Sequence, residues 1–161
     1  MTNKTLKQVE YFHDTFNVPV LEAPTIPSEE RCNLRVSLIQ EELNELKQAI
    51  TDKNIIEIAD ALCDLQYVLN GTILEFGMKE SFEELFDDVH DSNMSKSCET
   101  ERQAKETVDL YTEKGVETYY ERTNTLIDGF VKYNVYRKSD SKVLKNKDYR
   151  PANLKPILDK Y

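Results

Sequence analysis

Residues 41–60 read EELNELKQAITDKNIIEIAD, and they decide the fold. On either side of Thr51-Asp52-Lys53-Asn54, which has turn and capping chemistry, the apolar residues recur at helical spacing. One helix is therefore predicted from Glu29 to about Ile50 and a second from Ile55 to Phe76, folded back on each other by the short link. At roughly 100° per residue, Leu34, Leu38, Ile39, Leu43, Leu46, Ala49 and Ile50 occupy about half of the first helix. Glu42 and Glu45 fall inside that arc with Arg31 and Arg35, and Glu41 lies at its edge. On the second helix, Ile58, Leu62, Leu65, Leu69 and Phe76 form one apolar side and Ile56, Tyr67 and Leu74 another. Glu57, Asp60 and Asp64 make an acidic stripe between them.

At roughly 1.5 Å rise per residue, folding about Asp52 brings Glu42, Glu45, Glu57 and Asp60 to within a turn or two of one level. Carboxylates so clustered repel each other and raise each other's pKa unless a cation neutralises them. A donor set of oxygen alone, without His or Cys, selects a hard divalent ion, Mg²⁺ or Mn²⁺. Magnesium usually keeps waters and binds substrate phosphates. The alternative is a core of salt bridges in which Arg31 and Arg35 neutralise these acids.

The rest of the chain supports a helical protein. Leu6, Val9, Phe12 and Phe16 define an amphipathic helix over residues 3–16, and Pro19, Pro24 and Pro27 make the segment after it extended. Ser28 is placed to cap the first long helix, and Gly77 to end the second. Phe82, Leu85, Phe86 and Val89 mark a fourth helix. A fifth is predicted over residues 99–115. VETYYERT and GFVKYNVYR, joined by the turn-like NTLIDG, read as a small hairpin, and a last helical turn or two surrounds Leu154–Leu158. The fold class is all-α, a helical bundle with a hairpin insertion near its C-terminal end, and one domain is expected over 1–161.

Composition excludes several functions. A net charge of -9 without a basic stripe repels the nucleic-acid backbone. Cys32, Cys63 and Cys98 form no CxxC pair, which fits reduced thiols and a cytoplasmic location. No export signal or run of about 18 apolar residues is visible, so no membrane partner is expected. Four glycines leave no P-loop or Rossmann fingerprint, and no serine or cysteine sits beside a base as an activated nucleophile. His13 and His90 lack any zinc-type pairing and read as structural or surface residues.

Glu41-Glu42-x-x-Glu45 followed by Glu57-x-x-Asp60, with RVSLIQEE from Arg35, HDSNMSK ending at Lys96 and SKVLKNKDYRPANLKPIL from Ser141, resembles the all-α nucleoside triphosphate pyrophosphohydrolase superfamily, in particular its MazG-like and phosphoribosyl-ATP pyrophosphohydrolase branches. The resemblance covers nearly the whole chain except about 97–130; the insertion as a whole is placed at about 97–138. It implies Mg²⁺-dependent hydrolysis of a nucleoside triphosphate between its α and β phosphates, with Mn²⁺ as a substitute ion; nucleotide-pool house-cleaning, dNTP control and a phosphoribosyl-ATP step are the roles it leaves open. It implies Glu42, Glu45, Glu57 and Asp60 as metal ligands, with Glu42 also counted as catalytic, and Glu41 as the acid that orients or deprotonates the attacking water.

The same resemblance implies Asn93 and Lys96 at the substrate and Lys142 and Lys145 at its phosphates. Arg35 is carried over as a substrate contact or as a brace for a carboxylate, and Asn93 can equally cap the end of its helix. It further implies a homodimer or homotetramer. Three departures stand out: only eleven residues separate Glu45 from Glu57, Asp140-Ser141-Lys142 stands where relatives often have Asp-Gly-Lys, and, the largest, a helix and hairpin are added at 97–130. A phosphoribosyl-ATP step and a non-catalytic nucleotide-binding or structural helical module are the alternatives.

Overall fold

The computed structural model describes residues 4–127 and 129–161. Met1, Thr2, Asn3 and Asp128 lie outside the described residues, so the expected helix start at Asn3 and the Asp128 position of the hairpin turn do too. The elements are α1 Lys4–Phe16, α2 Glu29–Thr51, α3 Ile55–Glu75, α4 Phe82–Met94, α5 Glu101–Glu113, β1 Thr118–Arg122, β2 Tyr133–Arg137 and α6 Lys155–Leu158. The expected all-α architecture with one small hairpin is what forms. No helix among the described residues is long and apolar enough to cross a membrane. By contacts the chain divides into two compact units, Met1–Leu85 with Lys155–Tyr161, and Phe86–Leu154.

In the first unit, α2 and α3 lie against each other and α1 packs on α3. The link between α2 and α3 is fixed by its own chemistry. Lys53 adopts the left-handed conformation at φ 55°, its N–H donates to Ile50 O, and Asn54 N–H donates to Ala49 O. These two bonds satisfy carbonyls that the end of α2 would otherwise leave open. Asn54 then caps α3, its Oδ1 accepting from the N–H groups of Ile56 and Glu57. Three residues thus end one helix and start the next. Ser28 caps α2 as expected, accepting from Arg31 N–H. Gly77 ends α3 at φ 67°, where a Cβ would stand 1.9 Å from the carbonyl oxygen of Ala23, so only glycine fits.

The core of this unit is set by α1 and the last turns of α3: Leu6, Val9, Ile73 and Leu74, with Val20, Met78 and Phe82 against them. The apolar faces of the α2–α3 pair are not buried along their whole length. Leu34, Val36, Leu43 and Ile50 of α2, and Ile55, Ile56, Leu62, Tyr67 and Leu69 of α3, are exposed. Two helices side by side cover only the seam between them, and α1 covers one further stretch of α3.

Beneath α1, Glu75 is buried and receives both Arg31 and Arg35. Arg31 Nε donates to Oε2 at 2.8 Å and Arg35 Nε to Oε1 at 2.8 Å, and each Nη2 also bonds Oε1. Burial pushes the Glu75 carboxyl up, but the two guanidiniums outweigh it and hold the group below the usual carboxylate range. His13 lies alongside, its Nδ1 3.0 Å from Pro19 O, and burial lowers its pKa from 6.5. Gly71 gives both side chains room, since a Cβ there would meet Arg35 Nη1 at 2.7 Å and His13 Nε2 at 3.1 Å.

These shifts predict a pH dependence. A histidine with a lowered folded pKa adds stability that is complete above about 6.5 and is lost as pH falls toward the folded value. The melting temperature is expected to fall between pH 7.5 and 5.5, and His13→Gln to flatten that slope. An equal slope in the variant would show that His13 is not the titrating group.

In the second unit, α5 packs on both strands of the hairpin. The register pairs Thr118 with Arg137 and Arg122 with Tyr133. Cys98, Ala104 and Val135 form the buried core, flanked by Val108, Tyr120 and Tyr133. Thr100 caps α5 by accepting from Gln103 N–H.

Candidate active site

The acids of the opening stretch meet on the open side of the α2–α3 pair. Glu45, Glu57 and Asp60 line one shallow pocket of about 230 Å³ with Gln48, Asp52 and Asn54. The short link makes this possible, because the Asn54 cap fixes the first turn of α3, where Glu57 sits. Glu42 lies one turn earlier on α2. Its pKa is raised by partial burial first, then by the negative charges of Glu45, Asp64, Glu41 and Asp60. The carboxylates of both helices are therefore electrostatic neighbours.

Glu42 and Asp64 are partly buried, whereas Glu41, Glu45, Glu57 and Asp60 are exposed. The acids were expected to point into a core; they face outward because the apolar faces around them are themselves uncovered. Among the described residues, no Lys, Arg or His forms an ion pair with any of these six carboxylates. Arg31 and Arg35, the neutralising partners considered from sequence, are engaged by Glu75 instead. Arg35 braces a carboxylate and has no open approach to substrate, being buried.

Sequence reasoning missed Glu75. The available signal was the pair Arg31 and Arg35 inside an apolar arc, which requires a counter-charge, and a lone glutamate in the apolar ending TILEF of α3.

The donor chemistry of the pocket suits a hard divalent cation, since every candidate ligand is a carboxylate oxygen and the group lacks any counter-charge. Among the described residues, no three His, Cys, Asp or Glu side chains converge closely enough to hold an ion as they stand. The exposed glutamates sit on flexible stems that change position by rotamer.

The remaining candidates belong to the second unit. Asn93 ends α4 and its Oδ1 accepts from Lys96 Nζ at 2.6 Å. Ser92 shares a 2.9 Å hydrogen bond with the Tyr149 hydroxyl, and Arg150 N–H donates to Ser95 Oγ. Asn146 Nδ2 donates to the carbonyls of Ser95 and Ser97 at 2.9 and 2.7 Å. The motif SNMSK is thus stitched to KNKDYR, some fifty residues later. Lys145 Nζ lies 4.1 Å from the centre of the Tyr149 ring. The hydroxyl of Tyr149 titrates below its ordinary value through the Ser92 bond first, and then through the charges of Lys145 and Lys96. One candidate substrate contact, Lys96, and one candidate phosphate contact, Lys145, therefore gather around one phenol.

Lys142 is exposed. Its N–H donates to Asp140 Oδ1 at 3.2 Å, and Arg137 clamps the same carboxylate, holding its pKa at about 2. Ser141 between them takes φ 56°, the conformation for which glycine is suited. The turn therefore forms with serine at a conformational cost. Ser141→Gly is expected to stabilise the protein by about 0.5–1 kcal/mol, read as a higher urea midpoint with unchanged slope; a lower midpoint would refute the strain.

A family model described as phosphoribosyl-ATP pyrophosphohydrolase matches residues 9–93. That match contains Glu41, Glu42, Glu45, Glu57, Asp60 and Asn93, and stops short of Lys96, Lys142, Lys145 and the hairpin. An uncharacterized protein of Acanthamoeba polyphaga mimivirus is 31% identical over 127 residues, covering 77% of this chain and 49% of that protein. The chain thus spans about half the length of this relative.

Proposed function

Because the chain belongs to the phosphoribosyl-ATP pyrophosphohydrolase family, we propose that it hydrolyses the α–β phosphoanhydride of a nucleoside triphosphate, releasing the monophosphate and pyrophosphate. The observation that carries this reading is the cluster of carboxylates without cationic partners around the α2–α3 link, whose negative charges add to partial burial in raising the pKa of Glu42. Glu42, Glu45, Glu57 and Asp60 would hold Mg²⁺, with Mn²⁺ as a substitute. When bound, the ion supplies charge neutralisation at the phosphoryl oxygens and acidifies a water.

The protein residues do the rest. Glu41, exposed beside Glu42, orients the attacking water and accepts its proton. The water oxygen bonds to one phosphorus of the α–β bridge as that phosphorus's bond to the bridging oxygen breaks, so that monophosphate and pyrophosphate separate, a displacement that needs positioning and charge stabilisation more than covalent chemistry. Asn93 and Lys96 contact the substrate, and the ammonium groups of Lys96, Lys142 and Lys145 offset charge on substrate and product phosphates.

The exposed apolar residues of α2 and α3 are surface that a second copy of the chain would cover, giving a homodimer or homotetramer. The free thiols of Cys32, Cys63 and Cys98 fit a reducing, cytoplasmic setting.

The family's own description favours a second substrate, phosphoribosyl-ATP, which carries the same anhydride. Purified protein with Mg²⁺ is tested against canonical and modified triphosphates and phosphoribosyl-ATP. Pyrophosphate release from a nucleoside triphosphate is the expected result. Release from phosphoribosyl-ATP alone selects the second reading. No release from any of them, with metal leaving thermal stability unchanged, leaves only a non-catalytic nucleotide-binding or structural module.

A further inference from the structure

The second unit holds a cleft of about 500 Å³ between the end of α4 and the hairpin, within the size range of small-molecule sites. Its lining combines cationic, apolar and amide groups with two carboxylates, Asp91 and Glu99, each paired with a cation of the same lining, Arg150 and Lys132. Lys96 and Lys132 supply positive charge. The Lys132 side chain is 16% exposed while its counter-ion Glu99 is 67% exposed, so the cation is held below the surface and its partner is replaceable by a ligand anion. Ile127 and Val143 supply apolar surface. Asn134 supplies an amide.

Asn134 is the informative residue. It precedes Val135 in β2, and Val135 is fully buried in the core of the unit. Alternation along the strand therefore turns Asn134 to the opposite face, into the cleft. Its partly buried side chain makes no hydrogen bond among the described residues, so both its donor and its acceptor are available. A side-chain amide offers that pair in the geometry that matches the edge of a nucleobase. An amide, an apolar wall and a sheltered ammonium are the parts needed for a base, its stacking surface and a phosphate.

We infer that this cleft binds a nucleoside monophosphate, with Asn134 reading the base edge and Lys96 and Lys132 facing the phosphate. The inference rests on the proposed function for its ligand class, because a monophosphate is the nucleotide product of that reaction. The selecting residues lie outside the segment matched by the family model, in the inserted hairpin, so base preference is a property of the insertion.

The test uses the full chain in EDTA, so that metal at the acids plays no part. Calorimetric titration is run with the five common nucleoside monophosphates and with inorganic phosphate. At least one monophosphate is expected to bind tenfold or more tightly than phosphate. Asn134→Leu is expected to weaken it at least tenfold and to level the ranking among bases, and Asn134→Asp, which replaces the donor by an acceptor, to reorder that ranking. Lys132→Met is expected to weaken all monophosphates alike.

Equal binding of phosphate and monophosphates, or a base ranking unchanged in both Asn134 variants, overturns the inference. If Asn134→Leu does not fold, Asn134→Asp alone decides. The two readings fail separately. Triphosphate hydrolysis together with monophosphate binding that ignores Asn134 removes the cleft and leaves the pyrophosphohydrolase. Asn134-dependent binding without hydrolysis of any triphosphate does the reverse.

Discussion

Glu45→Gln, Glu57→Gln and Asp60→Asn are each expected to lower metal-dependent pyrophosphate release by roughly 10²–10³-fold, because each removes a full negative charge from the proposed cation site and several kcal/mol of transition-state stabilisation with it. The same variants are expected to leave thermal stability nearly unchanged. These carboxylates are exposed and have no ionic or hydrogen-bonding partner among the described residues, and surface substitutions of that kind usually fall within about 0.5 kcal/mol.

Glu42→Gln sharpens the distinction. A carboxyl whose folded pKa is raised contributes stability that fades as pH climbs from the unfolded value through the folded one, so at neutral pH the charged group opposes folding. Removing the charge is expected to raise the metal-free melting temperature slightly while abolishing the stabilisation produced by added Mg²⁺. Activity above a third of wild type in all four variants would remove the acids from the mechanism. A melting temperature lowered by many degrees would make them structural.

Glu75→Gln is expected to have the largest effect on stability, a loss of about 3–5 kcal/mol, as found when one partner of a buried ion pair is removed and the other is left uncompensated. Arg35 has only 8% of its side chain exposed and Glu75 1%, so neither reaches water when the pair is broken. For a chain of this length the melting temperature is expected to drop by roughly 10 °C or more. Since the carboxyl of Glu75 is held low by Arg31 and Arg35, its contribution is present above the unfolded carboxylate range and is lost as pH falls through the folded value. The difference between wild type and Glu75→Gln should therefore shrink in acid. Replacing Arg31, Arg35 and Glu75 together by apolar residues of similar volume is expected to cost less than Glu75→Gln alone. An equal or greater loss would show that the ion pairs add net stability.

Local chemistry carried much of the fold. The Ser28 cap, the Gly77 terminus and the break between α2 and α3 all depend on bonds within a few residues, and all were legible. The hairpin was legible in the Tyr- and Val-rich runs that became β1 and β2. The acidic cluster was legible because the link is too short to let the helices separate, so spacing along the chain fixed proximity in space. Whether those acids were buried was not legible. A helical wheel shows which residues share a face and is silent on whether anything covers that face, and here Leu43, Ile50 and Ile56 beside the acids are uncovered.

The sequence by itself determined the helix pair, its turn and the convergence of Glu42, Glu45, Glu57 and Asp60 at one level, because these follow from helical geometry over fewer than twenty residues. Only the tertiary structure decided what depends on distant contacts. Glu75 takes Arg31 and Arg35 across some forty residues and so leaves the acids without a cation. Ser92, Ser95 and Ser97 meet Tyr149, Arg150 and Asn146 across some fifty. Asn134 acquires a cleft because α4 and the hairpin come together around it. Such pairings are set by which surfaces the whole chain buries, a choice made only when all the elements pack at once.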